Sequence, residues 1–163
     1  MIRNFRPGDG TALRELCIAS ITGLGSRHYS SDQIMAWRER VPDADIYERR
    51  AADGAMIFIA TDNGDSPAAY ALLEQDGHFD RLYCHPGHSG RGHASALIAH
   101  AEEIARANGV TRLFTEASEV ARPVFERAGY SVSHRRDFVI DGVGIHNYAM
   151  EKRLNIAAAI PVR

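Results

Sequence analysis

Residues 82–94 of the chain read Leu82-Tyr83-Cys84-His85-Pro86-Gly87-His88-Ser89-Gly90-Arg91-Gly92-His93-Ala94. They begin with the last three residues of a run typical of a β-strand, His78 to Cys84. They then lead into an apolar stripe at helical spacing that ends at Asn108-Gly109. Glycine lets a main chain approach an anion closely, and the first turn of a helix offers unpaired N–H groups and the positive end of its dipole. The segment therefore predicts a site for a pyrophosphate, the anionic part of a nucleotide-like ligand.

The elements around this segment follow an order that indicates a mixed sheet. Asp9 is placed to cap a first helix, and Ser30-Ser31-Asp32-Gln33 has the form of a capping box for a second. We expect an α/β domain with a sheet of about six or seven strands, flanked by helices on both faces. The patterns predict strands over Ile2 to Arg6, Met56 to Ala60, Ala68 to Glu74, His78 to Cys84, Thr111 to Thr115, Tyr130 to Ile140 and Val143 to Leu154, and further helices over Asp45 to Ala52, from Ala94 to the Asn108-Gly109 turn, and over Glu119 to Ala128.

Length and composition narrow the class of protein. A chain of 163 residues suits one domain, predicted over 1–154 and followed by a loose tail over 155–163. The formal net charge of -2 gives no broad positive field for a nucleic acid, and no apolar run approaches the length that spans a membrane. The first residues carry no apolar signal core, and Cys17 and Cys84 fit no disulfide or metal pattern. These features favour a cytoplasmic protein.

Other phosphate-binding patterns fit the glycine-rich segment less well. A P-loop requires a lysine followed by serine or threonine after its second glycine, and neither is present. A dinucleotide fingerprint requires a small residue at Ser95 and an acidic residue about twenty positions further on, where Glu116 comes late. A dinucleotide-binding oxidoreductase and a plain loop with a helix start stay open as alternatives.

Two motifs resemble those of the GNAT superfamily of acetyltransferases. The family signature is Gln/Arg-x-x-Gly-x-Gly/Ala between a strand and a long helix, and Ser89-Gly90-Arg91-Gly92-His93-Ala94 matches it except at Ser89. Further on, Ser118-x-x-Ala121-x-x-x-Phe125-Glu126-x-x-Gly129-Tyr130 is similar to the family's Asn-x-x-Ala-x-x-Phe-Tyr-x-x-x-Gly-Phe stretch. The likeness covers residues 68–130, and residues 1–67 match the family in element order only.

The resemblance implies a GNAT-like acyl-CoA N-acyltransferase fold and an N-acetyltransferase that takes acetyl-CoA as co-substrate. In the family, pantetheine aligns along the fourth strand and the helix start holds the pyrophosphate. The amine attacks the thioester directly while both substrates are bound, and neither an acyl-enzyme nor a metal is expected. On this basis the coenzyme should contact Leu82, Tyr83, Cys84, Ser89, Gly90, Arg91, Gly92, His93, Ala94, Ser95, Ser118 and Phe125.

The acceptor requires a base, because an amine with a pKa of about 10.4 is mostly protonated at neutral pH. By the two-residue period of a strand, His78, Asp80, Leu82 and Cys84 share one face, and family bases or substrate-binding acids usually lie on this strand. We expect Asp80 first and His78 second, acting directly or through a water. Each fits equally well as a polar strand residue bonded to its neighbours.

The leaving thiolate requires a proton donor, and the tyrosine that supplies the proton in the family is replaced here by Phe125. Ser118, Tyr130, Tyr148 and solvent remain as candidates. Ser118 fits a helix cap as well. The missing tyrosine keeps a second interpretation open, a catalytically weak acyl-CoA-binding sensor or regulatory domain.

The acceptor is expected to bind against the first helices and the loop between them. That indicates Tyr29 and Trp37, which together with Asp80 would place an aromatic pair beside an acid and suit a cationic amine. The predicted partner is a small-molecule or peptide amine. The final hairpin offers a strand for pairing across a homodimer.

Overall fold

The structure is a computed structural model that describes residues 1–155. All of the predicted tail over 155–163 except Asn155 lies outside the described residues. The bounds predicted for the third helix and for the strand before the glycine-rich segment are reproduced. The strands are β1 (Ile2–Asn4), β2 (Met56–Thr61), β3 (Pro67–Leu73), β4 (His78–Cys84), β5 (Arg112–Ala117), β6 (Ser131–Ile140) and β7 (Val143–Arg153); the helices are α1 (Gly10–Gly23), α2 (Ser31–Glu39), α3 (Asp45–Ala52), α4 (His93–Ala107) and α5 (Arg122–Arg127).

These strands form one sheet in the order β1-β2-β3-β4-β5-β7-β6. Neighbours are antiparallel except β4 and β5, which run parallel and pair only at His78 with Phe114 and Phe79 with Thr115. The sheet is therefore split along the rest of β4. A doubly wound dinucleotide fold requires a mostly parallel sheet, so the dinucleotide alternative is wrong for this chain.

An apolar layer covers each face of the sheet. On one face, α4 buries Leu97, Ile98, Ala101 and Ala105, which follow the helical period and form a single stripe. On the other face, α1 to α3 pack against the sheet around the fully buried ring of Tyr47. Burial stabilises by about 1.5–3 kcal/mol for each large aliphatic side chain. The predicted mixed domain with helices on both faces is confirmed. Among residues 1–155, none of the helices has both the length and the apolar character needed to cross a bilayer.

A β-bulge interrupts β4. Leu72 of β3 pairs with Arg81, but the next residue, Leu73, pairs with Phe79. Asp80 is thus an extra residue on β4, opposite no residue of β3, and such a residue shifts the alternation of side chains between the two faces.

The bulge corrects the prediction that His78, Asp80, Leu82 and Cys84 share one face. Phe79 lies in the apolar layer beneath α4 together with Leu82 and Cys84. Because neighbours on a strand point to opposite faces, His78 lies on the side of α1 to α3. The two-residue period fails here because it makes no allowance for the extra residue, Asp80.

Of the two predicted helix caps, one is confirmed and one is wrong. The Ser30 Oγ accepts the Gln33 N–H at 3.2 Å, and the Gln33 side chain accepts the Ser30 N–H at 2.9 Å, which completes the capping box of α2. Asp9 makes no side-chain bond to the first turn of α1. Its carboxylate instead pairs with Arg3 at 2.8 Å and accepts the Arg6 N–H at 2.7 Å, so it closes the turn before the helix.

Candidate active site

The split between β4 and β5 opens two cavities that share one wall. The first, here called the glycine-loop groove, has a volume of about 360 Å3 and runs past α1, the turn over 88–92 and the starts of α4 and α5. The second, the aromatic cavity, has a volume of about 200 Å3 and lies between α2, β4, β5 and the β6–β7 hairpin. Both are lined by Trp37, Leu82, Tyr83, Ser118 and Ala121.

The glycine-loop groove is built on two left-handed glycines. Gly90 has φ +74° and Gly92 φ +83°, and a Cβ added at either would meet nothing within 4 Å. The backbone conformation, and not crowding, is therefore what favours glycine at these positions. The first bond inside α4 runs from the Ala96 N–H to the Gly92 carbonyl, at 3.0 Å. By helix geometry the N–H groups of residues 93–95 have no partner within the helix, so they are available to an anion.

Basic side chains line the groove that contains this helix start. The groove is lined by Arg27, His88, His93 and Arg127, and among the described residues that line it none carries a carboxylate. Burial and the charge of neighbouring His88 hold the pKa of His93 below its ordinary value. The groove thus combines helix-end donors with cationic side chains, which is the chemistry of a polyanion site.

The groove brings together most residues predicted to bind the coenzyme. Arg91 does not line it. Phe125 does not line it either: only 1% exposed, it packs edge-to-face on Phe79 and Tyr130 with ring centroids 5.3 and 5.0 Å apart. Its place in the apolar layer follows from the buried face of α5. The predicted residues that do line the groove are Leu82, Tyr83, Cys84, Ser89, Gly90, Gly92, His93, Ala94, Ser95 and Ser118.

Aromatic rings form one side of the aromatic cavity. Tyr29 and Trp37, both predicted to contact the acceptor, line it and meet edge-to-face with centroids 5.5 Å apart. The Tyr29 hydroxyl donates to the His146 carbonyl and accepts the Glu119 N–H, each at 3.0 Å. These two bonds fix the tyrosine ring against β7 and the segment that leads to α5.

Two carboxylates form the opposite side, one on each strand of the split. Asp80 lies on the bulge of β4, 3.1 Å from Arg50, and Glu116 lies on β5. The Glu116 carboxylate contacts His78 Nε2 at 2.5 Å, and His78 Nδ1 contacts Glu74 at 2.7 Å. Burial lowers the pKa of His78, but the hydrogen bonds to Glu116 and Glu74 outweigh it and raise the pKa above its ordinary value.

Glu116 is the site residue that sequence reasoning missed as a functional group. Its contact with His78 depends on the short parallel pairing of β4 and β5, which no local pattern shows. His78, predicted as a base, has both ring nitrogens bound to carboxylates and does not line the aromatic cavity. Its geometry suits an imidazolium that holds Glu116 in place.

Glu74, His78 and Asp80 also offer ligand atoms that lie within 4.8 Å of one another. Arg50 contacts two of these groups, Asp80 at 3.1 Å and Glu74 at 3.4 Å. A guanidinium therefore already supplies the positive charge between the carboxylates. The cluster is explained as an ion-pair network.

Of the predicted proton donors, only Ser118 lines the cavities. Its Oγ accepts the Ala121 N–H at 3.2 Å, as expected for a cap, and its own hydroxyl proton stays free to be donated. The Tyr130 hydroxyl is buried in the apolar layer, where burial and Glu102 raise its pKa. The Tyr148 hydroxyl donates to Glu119 at 2.7 Å. Burial also raises the pKa of the Cys84 thiol, which disfavours the thiolate that a nucleophilic cysteine requires.

Known proteins with similar sequence and structure are acetyltransferases. A sequence profile described as Acetyltransferase (GNAT) domain matches residues 26–152. A GCN5-related N-acetyltransferase from Rhodopseudomonas palustris superposes with a TM-score of 0.85 at 32% sequence identity, over 94% of this chain and 95% of that one. The uncharacterized N-acetyltransferase YafP of Escherichia coli is 29% identical over 149 residues, which are 91% of this chain and 93% of YafP.

A further solved structure shares the fold at lower identity. The yncA protein of Salmonella typhimurium, solved with its cofactor acetyl-CoA, has a TM-score of 0.73 at 20% identity, over 100% of this chain and 98% of that one. The residues matched by the family profile include the β4 bulge, the glycine loop and Ser118. With this profile match and a relative above 30% identity along nearly its whole length, the chain belongs to the GNAT family of acetyltransferases.

Proposed function

We propose that the protein transfers the acetyl group of acetyl-CoA to a primary amine by direct attack, with both substrates bound at once. The observation that carries this proposal is the shared wall of the two cavities. A thioester lying along that wall would be reachable from the glycine-loop groove by its own coenzyme and from the aromatic cavity by an amine. Such an arrangement suits one-step transfer, because proximity replaces a covalent intermediate.

The glycine-loop groove fits the charge and shape of acetyl-CoA. The helix-end N–H groups of α4 would bind the diphosphate, and Arg27 and Arg127 lie where further phosphate charge can be neutralised. β4 has no strand partner on its β5 side beyond Phe79, so its main chain is free to pair with the pantetheine arm. The complex of yncA with acetyl-CoA supports the same assignment through the shared fold.

In the proposed reaction, the nitrogen lone pair of the amine attacks the thioester carbonyl carbon. The C–N bond forms, the C–S bond breaks, and the electron pair of that bond leaves on sulfur. Keeping a lysine-like amine neutral at pH 7 costs about 4 to 5 kcal/mol, so a base is useful. We assign that role to Asp80, acting through a water, in preference to His78, whose nitrogens are both occupied.

Ser118 is proposed as the donor that protonates the leaving sulfur. The serine then regains a proton from solvent, to which Asp80 and its water release the proton taken from the amine. Ser118 lies on the wall common to both cavities, and its capping bond uses a lone pair and leaves the proton available. Phe125, which stands where family members carry a tyrosine, is buried and has no proton to give. The serine therefore offers a route that this chain can use in place of the tyrosine.

We propose a cytoplasmic enzyme, in line with its two free cysteines, and a small-molecule or peptide amine as acceptor. The largely exposed edge strand β6 is the proposed surface for a homodimer.

Release of free CoA from acetyl-CoA across a panel of amines tests the proposed reaction. Catalysis predicts amine-dependent release of thiol at a rate well above hydrolysis of the thioester. Tight binding of acetyl-CoA with no thiol release for any amine would instead support the sensor alternative that Phe125 keeps open.

A further inference from the structure

The lining of the aromatic cavity constrains the charge of the acceptor. The carboxylates that line the cavity belong to Asp80 and Glu116, and among the described residues that line it none is an arginine or a lysine. His146 also lines the cavity, and its Nε2 is already paired with Glu119 at 2.7 Å. An acceptor carboxylate or phosphate placed there would face two carboxylates and no arginine or lysine of the described lining. Like-charge contact of this kind selects against acidic acceptors.

Of the two carboxylates that line the cavity, Glu116 has the weaker compensation by positive charge. Its cationic contact is His78, and His78 is shared with Glu74. Asp80, by contrast, has Arg50 at 3.1 Å and Arg81 at 3.7 Å. Glu116 is also the more exposed of the two, at 35% of its side chain against 26% for Asp80. Glu116 is therefore the carboxylate best placed to take a further positive charge.

The separation of Glu116 from Ser118 sets how far the further positive charge lies from the reacting centre. Glu116 precedes Ser118, the first residue after β5, by two residues, and an extended chain rises about 3.3 Å per residue, so their backbones are at most about 6.6 Å apart. Ser118 is on the wall where the thioester is proposed to lie. The same cavity is lined by Tyr29, Trp37 and Tyr83, whose rings suit a methylene chain and the face of an ammonium.

We propose that the acceptor is an aliphatic amine with a second cationic nitrogen, separated from the reacting one by about four or five carbons, and without an acidic group. This inference rests on the proposed acetyl transfer and specifies its acceptor. The reacting amine approaches the shared wall, while Glu116 binds the distal ammonium. His78 positions Glu116 through its bridge to Glu74. Asp80 serves the reacting nitrogen, so the two carboxylates have separate roles.

Three acceptors of one chain length test this inference. In 1,5-diaminopentane, pentylamine and 5-aminopentanoate the far end is an ammonium, a methyl group and a carboxylate. We expect kcat/KM for the diamine to exceed that for pentylamine by about tenfold, since hydrogen bonds to charged groups carry roughly that much discrimination. We expect 5-aminopentanoate to be the poorest of the three. In Glu116→Gln the diamine should lose its advantage over pentylamine.

The matched control is Glu103→Gln, which makes the same change at an exposed residue of α4 outside both cavities and should keep the wild-type ratio. Equal turnover of 5-aminopentanoate and the diamine would overturn the inference, and so would an unchanged preference in Glu116→Gln. Both results leave the transfer reaction in place.

Calorimetric binding of the same compounds to the protein–CoA complex gives a readout that needs no turnover. The same order of affinities is expected. If no amine released CoA but the diamine still bound more tightly than 5-aminopentanoate, the reaction proposal would fail and the acceptor class would stand. Equal binding of all three compounds would overturn the acceptor class.

Discussion

The glycine-loop groove and the aromatic cavity share a wall but differ in the charged side chains that line them. Among the described residues, the groove is lined by arginines and histidines and by no carboxylate, whereas the cavity is lined by Asp80 and Glu116 and by no arginine or lysine. The contrast arises from one split in one sheet, since both sets of residues flank the opening between β4 and β5. In the proposed reaction, this contrast separates an anionic coenzyme from a cationic amine and lets them meet at the shared wall.

The largest effect is expected from a substitution that adds a negative charge to the glycine-loop groove. Gly92→Glu places a carboxylate at the helix start proposed to hold the diphosphate, and like-charge contact costs several kcal/mol, so acetyl-CoA affinity should fall on the order of 1000-fold. Calorimetric titration measures the loss. Gly109→Glu is the control, because Gly109 also has a left-handed φ (+76°) with nothing within 4 Å, at the other end of α4. An unchanged affinity in folded Gly92→Glu would remove the diphosphate from this site.

A second prediction tests the division of labour in the aromatic cavity. Asp80→Asn removes the proposed base, which typically contributes a hundredfold or more, so we expect kcat to fall by about 100-fold. The defect should be greatest below the pKa of the amine and shrink above it, where the amine is already neutral. A pH profile of kcat measures this. Asp43→Asn, at an exposed residue, is the control, and a wild-type profile in Asp80→Asn would exclude Asp80 from proton transfer.

A smaller effect is expected from the rim of the groove. Arg127 is exposed and lines the groove, so its attraction for a phosphate is screened by solvent and salt. Arg127→Gln should weaken acetyl-CoA binding by about fivefold at low salt and by less at high salt. Binding measured at two ionic strengths checks this, with Arg153→Gln as an exposed control. A salt-independent change would mean that Arg127 acts through packing and not through charge.

The smallest expected effect is a pH dependence of coenzyme affinity that arises from His93. The pKa of His93 is lowered, so the ring is neutral at pH 7 and gains a charge as the pH falls through that lowered pKa. A bound polyanion favours the charged ring, so coenzyme affinity should rise about two- to threefold as the pH falls from 7.5 to 6. His88, Arg27, Arg91 and Arg127 also face or flank this site, and the arginines keep their charge throughout.

Calorimetry in buffers of different ionisation enthalpy counts the protons taken up on binding. His93→Gln should reduce that uptake. Equal uptake in wild type and His93→Gln would show that His93 does not sense the coenzyme.

Patterns among neighbouring residues correctly predicted the parts of the fold that depend on local interactions. The capping box of Ser30 and Gln33, the bounds of α3 and the glycine turn before α4 each depend on residues close together in the chain. Asp9 shows the limit even there, because a carboxylate two residues after a proline fits a turn and a cap equally well, and Arg3 decides between them.

The parts that could not be predicted depend on pairing between distant residues. The bulge at Asp80 exists only as a mismatch between β3 and β4, so the two-residue period assigned His78 to the wrong face. Glu116 became a candidate only when β5 placed it beside His78, 38 positions earlier in the chain. Phe125 was predicted to contact the coenzyme because of its motif position, and the buried face of α5 places it in the apolar layer, where it lines the aromatic cavity and not the groove.

The extra residue divides β4 into two segments that pair differently. His78 and Phe79 pair with β5, and the residues after Asp80 pair with β3 alone. Removing one residue at this point would rotate everything downstream by half a turn, so that Leu82 and Cys84 would exchange sides with Tyr83. The opening between the strands therefore depends on the number of residues in β4 as much as on their chemistry, and a single-codon deletion should harm this region more than most substitutions would.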